Sequence, residues 1–140
     1  LAQQTRPVPT ASAPSAPGEW SWPAKGKVIN PFAEGGNAKG IDIEGVLGQE
    51  VNAAGNGKVI YNGGDLRGYG NMVIIKHDKD FLSVYAHNSK SLVKEGQLIS
   101  KGQKIAEMGS SGTDKVKLHF EIRFQGKSVD PIKYLGALPQ

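Results

Sequence analysis

Polar and apolar residues alternate strictly over residues 117–123, and this pattern predicts a β-strand with two different faces. Leu118, Phe120 and Ile122 are expected to face the core. The opposite face, which is predicted to be solvent-exposed, carries the polar side chains of Lys117, His119, Glu121 and Arg123. A strand with the pattern His-x-His would direct two imidazoles at one metal ion or substrate, but here a lysine occupies the first of those two positions.

Short β-rich runs separated by glycine turns continue this pattern along the chain. Further strands are predicted at residues 27–32, 40–45, 50–53, 58–61, 71–77, 81–87 and 104–108. The Gly-Asn-Gly sequence at 55–57 predicts a hairpin of the two strands that flank it, and residues 78–80 predict a second hairpin. The predicted fold class is therefore all-β, a compact antiparallel sheet or sandwich with very little helix.

The first part of the chain has a different character. Residues 1–17 are mostly Pro, Ala, Ser and Thr, with Arg6 the only charged side chain, and such a composition cannot bury a core. We expect a flexible linker over residues 1–21, with Trp20 and Trp22 anchoring its end, and a folded domain over residues 22–140. Because the chain does not begin with methionine, we expect a piece of a longer protein whose signal or lipid anchor lies upstream.

Charge and composition narrow the classes of partner. The chain has 17 basic and 13 acidic residues, a net charge of +4 and no cysteine, which excludes disulfides and thiolate metal sites. The lysines are scattered and aromatic residues make up only 7%, so nucleic acid is a poor candidate. A modest positive charge is typical of a soluble surface, and it also suits an anionic polymer.

Side chains that carry chemistry are few. The histidines are His77, His87 and His119, and each lies within or at the end of a predicted strand. Asp42 lies between two isoleucines on another strand. A histidine at a strand end is usually a surface or hydrogen-bonded residue. Taken alone, these positions predict no more than an all-β domain with a candidate His/Asp groove.

A series of short motifs over residues 22–135 resembles the LytM (lysostaphin-type) metallopeptidase domain. The matching segments are Gly-Ile-Asp-Ile at 40–43, GQEVNAAGNGKV at 48–59, Gly-Tyr-Gly-Asn at 68–71, Tyr-Ala-His at 85–87, residues 102–112 and Leu-His-Phe-Glu at 118–121. The segments 22–23, 39–43, 66–70 and 129–131 are similar to the NlpD-type activators of cell-wall amidases. The resemblance implies the LytM fold, a duplicated hybrid β motif.

The resemblance also implies which positions correspond to an active site. Active LytM enzymes hold zinc with a His four residues before an Asp, with that Asp, and with the second His of His-x-His. The metal positions in this chain are Ala38, Asp42 and His119, and the catalytic positions are His87 and Lys117. A methyl group cannot bind zinc, and a protonated lysine repels it. The resemblance therefore implies no metal, no cofactor and no hydrolysis, with Asp42 and His119 as remnants of the ligand set.

The leading hypothesis is a catalytically inactive LytM domain that binds and activates an N-acetylmuramoyl-L-alanine amidase for septal peptidoglycan splitting in cell division. Peptidoglycan itself is a second candidate partner. The resemblance implies a periplasmic location, with tethering to the outer membrane as a lipoprotein and recruitment to the division septum. The candidate partner-binding groove consists of Lys39, Asp42, Arg67, Tyr69, Tyr85, His87, Lys117, His119 and Glu121.

Two alternative functions stay open. A residual zinc endopeptidase would have to recruit His77 or a backbone group in place of the missing ligand. A peptidoglycan-binding module would use the positive charge alone. A biotinyl- or lipoyl-like carrier barrel also has short strands and glycine turns, but Glu107-Met108-Gly109 lacks the lysine that such a carrier needs beside its methionine.

Overall fold

The computed structural model describes residues 20–33 and 38–135. Within these ranges the strands and the helix are β1 Val28–Asn30, β2 Ile41–Glu44, β3 Glu50–Asn52, β4 Gly57–Gly63, β5 Asn71–Lys76, β6 Phe81–Ser91, β7 Leu98–Ile99, β8 Lys104–Met108, β9 Lys117–Phe124, β10 Lys127–Val129 and α1 Ile132–Leu135. All strand pairs are antiparallel, and the sheet order is β1-β2-β9-β6-β5-β4-β7, with β3, β8 and β10 attached beside this path. The predicted all-β class is confirmed. In the described part of the chain, no helix has the length and apolar character needed to cross a membrane.

Trp20 is the first residue that the structure describes, and its side chain is buried. Its ring makes edge contacts with His77, Phe81 and Tyr134, at centroid distances of 4.8, 5.6 and 6.0 Å. Trp20 therefore belongs to the hydrophobic core, two positions before the predicted start of the domain. Residues 1–19 of the predicted linker lie outside the described residues, so that part stays a prediction.

One predicted hairpin is confirmed and the other is wrong. β5 and β6 pair as predicted, but β3 pairs with β8, whereas β4 pairs with β5 and β7. Gly57, the first residue of β4, allows a close approach rather than a tight turn, because a Cβ there would collide with the carbonyl oxygen of Lys76 on β5. Asn56 holds the connection, since its Oδ1 accepts a hydrogen bond of 2.7 Å from the backbone of Lys101.

Strand register brings the distant candidate residues together. β9 lies between β2 and β6, and His119 on β9 is directly opposite Asp42 on one side and Ala86 on the other. Directly opposed residues point to the same face of a sheet. The apolar residues of β9, Leu118, Phe120 and Ile122, are fully buried on the other face, as the alternation predicts.

A β-bulge in β6 turns His87 towards the face of His119. At this point β5 has one residue where β6 has two, Ala86 and His87. His87 has a φ of 69°, a left-handed value that is uncommon outside glycine. Simple alternation would place His87 on the same face as Tyr85. With the bulge, the ring centroids of His87 and His119 are 6.1 Å apart.

Candidate functional site

A groove with a volume of about 420 Å³ lies over β2, β6 and β9. Its lining consists of Asn30, Ala38, Lys39, Gly40, Asp42, Arg67, Gly68, Tyr69, His87 and His119. Six of the nine predicted groove residues are in this lining. Lys117 and Glu121 contact the lining from the floor, through Asp42 and His119 respectively.

Tyr85 does not reach the groove, and the prediction that placed it there is wrong. Its side chain is fully buried in the core, 5.3 Å from the ring of Phe120. Its hydroxyl accepts a hydrogen bond of 2.9 Å from the backbone of Ala54 and lies 2.7 Å from the hydroxyl of Ser83. Burial raises the pKa of Tyr85 to about 12. The bulge explains the error, because it separates the face of Tyr85 from the face of His87.

Both carboxylate oxygens of Asp42 are occupied by neighbouring donors. Oδ1 lies 2.7 Å from Nδ1 of His119. Oδ2 lies 3.2 Å from Nζ of Lys117 and accepts a hydrogen bond of 2.9 Å from Asn30. Burial alone would raise the pKa of Asp42, but the hydrogen bonds from His119 and Asn30 hold this pKa well below its usual range. Asp42 is therefore an anion at neutral pH.

His119 donates from both ring nitrogens, because each nitrogen faces a carboxylate. Nδ1 contacts Oδ1 of Asp42 at 2.7 Å, and Nε2 contacts Oε2 of Glu121 at 2.8 Å. Burial opposes the charged form, but these two hydrogen bonds raise the pKa of His119 to about 9. At neutral pH the ring is an imidazolium, which has no free lone pair.

Glu121 is completely buried, so the prediction that this face of β9 is solvent-exposed is wrong at this position. Oε2 accepts hydrogen bonds from the Tyr69 hydroxyl at 2.7 Å and from His119, and Oε1 accepts one from Nε of Arg123 at 2.8 Å. Burial would raise the pKa of Glu121, but these donors keep it below its usual value. The alternation failed here because the loop of residues 64–70 covers the strand through Tyr69.

His87 is the neutral histidine of the groove. A carbonyl oxygen can only accept, so Nδ1 donates the hydrogen bond of 2.8 Å to the carbonyl of Ser111. Burial lowers the pKa of His87 despite that bond, and the nearby cations His119 and Lys117 lower it further. At neutral pH its Nε2 is therefore unprotonated, on a side chain that lines the groove.

The rim of the groove carries exposed positive charge from Lys39 and Arg67. Within residues 20–33 and 38–135, neither side chain forms an ion pair. The charged side chains of the floor are Asp42, Glu121, Lys117, His119 and Arg123, three cations against two anions. Rim and floor together therefore present a positive surface.

This donor set does not fit the zinc ion of LytM enzymes. Catalytic zinc normally takes three protein ligands with free lone pairs. Here the nitrogens of His119 and the oxygens of Asp42 are all hydrogen-bonded, and Ala38 offers only a methyl group. Among the side chains that the structure describes, no group of three or more His, Cys, Asp or Glu residues is arranged to hold a metal ion.

His77, the candidate replacement ligand, lies outside the groove in a network that we call the core network. Its Nδ1 donates to the carbonyl of Asn56 at 2.6 Å, and its Nε2 accepts from the hydroxyl of Ser83 at 2.8 Å. Burial lowers the pKa of His77 to about 4. Both nitrogens are engaged on the core side of the sheet, so His77 cannot complete a metal site in the groove.

Sequence reasoning missed three partners of the groove residues, namely Asn30, Ser111 and Arg123. The alternation predicts the correct face for Arg123, but it gives no signal for the ion pair with Glu121, in which the nitrogen and oxygen lie 2.6 Å apart. Asn30 reaches Asp42 because β1 pairs with β2. Ser111 lies in a loop, which has no periodic signal. Strand pairing in three dimensions would have found Asn30, and the path of the loop in three dimensions would have found Ser111.

Comparison with known proteins identifies a family and close relatives. The model of peptidase family M23 matches residues 36–131. The chain is 57% identical over 129 residues to "Lipoprotein NlpD/LppB homolog" of Pseudomonas aeruginosa, covering 91% of this chain and 43% of that protein. It is 58% identical over 118 residues to "Murein hydrolase activator NlpD" of Escherichia coli K12, covering 83% of this chain and 31% of that protein. The chain thus spans less than half the length of these relatives.

Among solved structures, the fold is similar to a putative peptidase M23 from Pseudomonas aeruginosa. The TM-score is 0.79 at 27% sequence identity. The match covers 93% of this chain and 57% of that chain. The similarity therefore extends over almost the whole chain.

Proposed function

This chain belongs to peptidase family M23, and we propose that it is a catalytically inactive member that binds and activates an N-acetylmuramoyl-L-alanine amidase. The activated amidase would split septal peptidoglycan during cell division. A relative with 58% identity is named a murein hydrolase activator, which supports this function. The chain spans 31% of the length of that relative, so the activity of the whole protein is itself proposed.

The observation that carries the proposal is the saturated floor of the groove. Lys117 and His119 supply two positive charges that balance the carboxylates of Asp42 and Glu121. A zinc ion at this place would have to displace both cations and break the hydrogen bonds that hold them. An ammonium group in an ion pair is not a base, so Lys117 cannot take the role of a catalytic histidine.

The groove is proposed as the docking surface for the amidase. Lys39 and Arg67 on the rim are exposed, and Tyr69 lines the cavity between the rim and the floor. The side chains of the floor are fixed by hydrogen bonds before a partner binds, so docking causes little further loss of conformational entropy on this side of the interface.

Activation requires differential affinity for two states of the amidase. An activator shifts the equilibrium only if it binds the active conformer more tightly than the autoinhibited one. A shift from 1:99 to 99:1 takes about 5.5 kcal/mol. The groove and its rim would supply this difference through contacts that only the active conformer makes.

We also propose that the chain works in the periplasm, tethered to the outer membrane as a lipoprotein and recruited to the septum. A relative with 57% identity is named a lipoprotein, which supports an envelope location. Fractionation and septal imaging of the full-length protein test this part. A uniform distribution in the soluble fraction would contradict it.

A dye-release assay on labelled peptidoglycan tests the proposed function. Release is measured for this chain alone, for a purified amidase alone and for the mixture, and strong release is expected only from the mixture. Release by the chain alone, together with stoichiometric zinc after metal loading, would identify a residual endopeptidase instead. Binding to sacculi without stimulation of any amidase would favour a peptidoglycan-binding module.

A further inference from the structure

On the face of the sheet that carries His119 and Glu121, a row of directly opposed residues crosses six strands. We call it the basic row, and in order it contains Leu98 on β7, Lys58 on β4, Lys76 on β5, Leu82 on β6, Arg123 on β9 and Ser128 on β10. With neighbouring strands about 4.8 Å apart, the row is about 24 Å long. None of its residues lines the cavity of the groove, and it shares only Arg123 with the floor beneath that cavity.

The free charge of the basic row comes from Lys58 and Lys76. Both are exposed, and they face each other directly across β4 and β5. In the part of the chain that the structure describes, neither forms an ion pair, whereas Arg123 is engaged by Glu121. Like charges in directly opposed positions destabilise a sheet, and the row contains no acidic residue to offset them. This uncompensated positive charge complements an anionic surface.

Exposed aliphatic side chains accompany these lysines. Leu98, opposite Lys58, is 64% exposed, and Ile60, at an irregularity of β4, is 42% exposed. Aliphatic side chains beside lysines suit the surface of a bilayer, where the leucine enters the acyl boundary and the ammonium groups remain among the headgroups. A glycan strand would be met by aromatic side chains on which sugar rings stack, and the basic row has none.

We propose that the basic row is a docking surface for a bilayer that contains anionic phospholipid. The lysines attract the headgroups, and Leu98 and Ile60 supply the apolar contact. This property goes beyond amidase activation and does not depend on it. Docking through the basic row leaves Lys39 and Arg67 at the rim of the groove free for another partner.

Co-sedimentation of the full chain with lipid vesicles tests this proposal. We expect binding to vesicles of phosphatidylcholine with phosphatidylglycerol and none to phosphatidylcholine alone. K58Q/K76Q is expected to lower the partition coefficient about 25-fold, because each lysine at an anionic surface contributes about a fivefold factor. The matched control is K25Q/K27Q, which removes the same charge from exposed lysines beside β1 at the opposite edge of the sheet and is expected to bind like the wild type.

Further arms separate a lipid surface from other anionic partners. L98Q removes apolar contact without changing charge, so it is expected to weaken vesicle binding and to leave binding to sacculi unchanged. The proposal would be overturned if K58Q/K76Q and K25Q/K27Q lost vesicle binding equally. It would also be overturned if the chain bound sacculi through the basic row but never sedimented with vesicles. K58Q/K76Q is expected to stimulate an amidase in solution as the wild type does, and loss of that stimulation would assign the row to the protein partner instead. Failure of the wild type to stimulate any amidase would affect only the proposed function.

Discussion

The groove around His119 and the core network around His77 place a histidine in contrasting surroundings. Both ring nitrogens are hydrogen-bonded in each case. In the groove the partners are two carboxylates, and the pKa of His119 rises to about 9. In the core network the partners are a carbonyl and a hydroxyl, and the pKa of His77 falls to about 4. The charge of a buried histidine is thus decided by the chemistry of its partners, since burial opposes the charged form at both sites.

The two networks also differ in what their charge state does. The core network is one directed chain of neutral hydrogen bonds, from the backbone of Ala54 through Tyr85, Ser83 and His77 to the carbonyl of Asn56. It satisfies buried polar groups without introducing a charge. The groove network, which consists of Asp42, Lys117, His119, Glu121 and Arg123, holds ionised side chains at the surface of a cavity. We therefore expect substitutions in the core network to act on stability, and substitutions at the groove rim to act on partner binding.

Removal of the Glu121 charge is expected to have the largest effect on stability. E121Q removes the carboxylate of Arg123 and one of the two carboxylates of His119 at a completely buried position, so the free energy of unfolding should fall by about 3–5 kcal/mol. Urea unfolding at neutral pH measures this change. The matched control is E107Q, whose carboxylate pairs with Lys104 at the surface and should contribute about 0–1 kcal/mol. A similar loss of unfolding free energy in the two variants would contradict a stabilising role of Glu121 in the groove network.

Acidification is expected to weaken the core network. The pKa of His77 is lowered from 6.5 to about 4 in the folded chain, so the unfolded chain takes up the proton first. The stability that His77 contributes is fully present above pH 6.5 and is lost as the pH falls towards 4. This shift corresponds to about 3 kcal/mol. Unfolding measured between about pH 7 and pH 4.5 should show a shallower dependence in H77Q than in the wild type, and parallel curves would argue against a neutral buried His77.

A rise in pH is expected to weaken the groove network, in the opposite direction. The pKa of His119 is raised from 6.5 to about 9, so its contribution is fully present below pH 6.5 and is lost as the pH rises towards 9. Allowing for the partial exposure of the ring, we expect a loss of about 2 kcal/mol. An NMR titration of the His119 ring measures the pKa directly, and H119Q serves as the control in unfolding experiments. An ordinary titration midpoint would show that the two carboxylates do not hold the charge.

Charge reversal at the rim should have the smallest effect on stability and a clear effect on activation. Arg67 is exposed, so R67E is expected to change the free energy of unfolding by no more than about 0.5 kcal/mol. Amidase-dependent dye release is expected to fall about tenfold, which corresponds to about 1.4 kcal/mol. K25E introduces the same change of charge on an exposed residue outside the groove. Equal stimulation by R67E and K25E would remove the groove from the amidase interface.

Local alternation predicted eight of the ten strands in the described part of the chain, but not all of their pairings. The buried face of β9 follows from its sequence, because Leu118, Phe120 and Ile122 repeat with the period of a strand. The hairpin predicted at the Gly-Asn-Gly segment, residues 55–57, was wrong because glycine is typical of a close backbone approach as well as of a tight turn. β7, with two residues, and β10, with three, were missed because they are too short to show a period.

The candidate site was predictable as a set of positions but not as a set of charge states. Asp42 and His119 are 77 positions apart, and only the resemblance to LytM domains indicated that they meet. Burial of Glu121 depends on a hydrogen bond from Tyr69, 52 positions away. Such contacts carry no local signal in the sequence. The protonation of His119 follows from them, so it could only be read from the folded chain.

The bulge at Ala86 and His87 also decides to which face of the sheet each later side chain of β6 points. Before it, the strand pairs with β9; from Asn88 onward, it pairs with β8. One extra residue therefore lets a single strand serve two parts of the sheet while exchanging its inward and outward positions. Deleting one residue here would reverse every later side chain of β6 and withdraw His87 from Ser111. For anyone redesigning this domain, the number of residues between Tyr85 and Asn88 is consequently a constraint in its own right, whatever side chains are chosen.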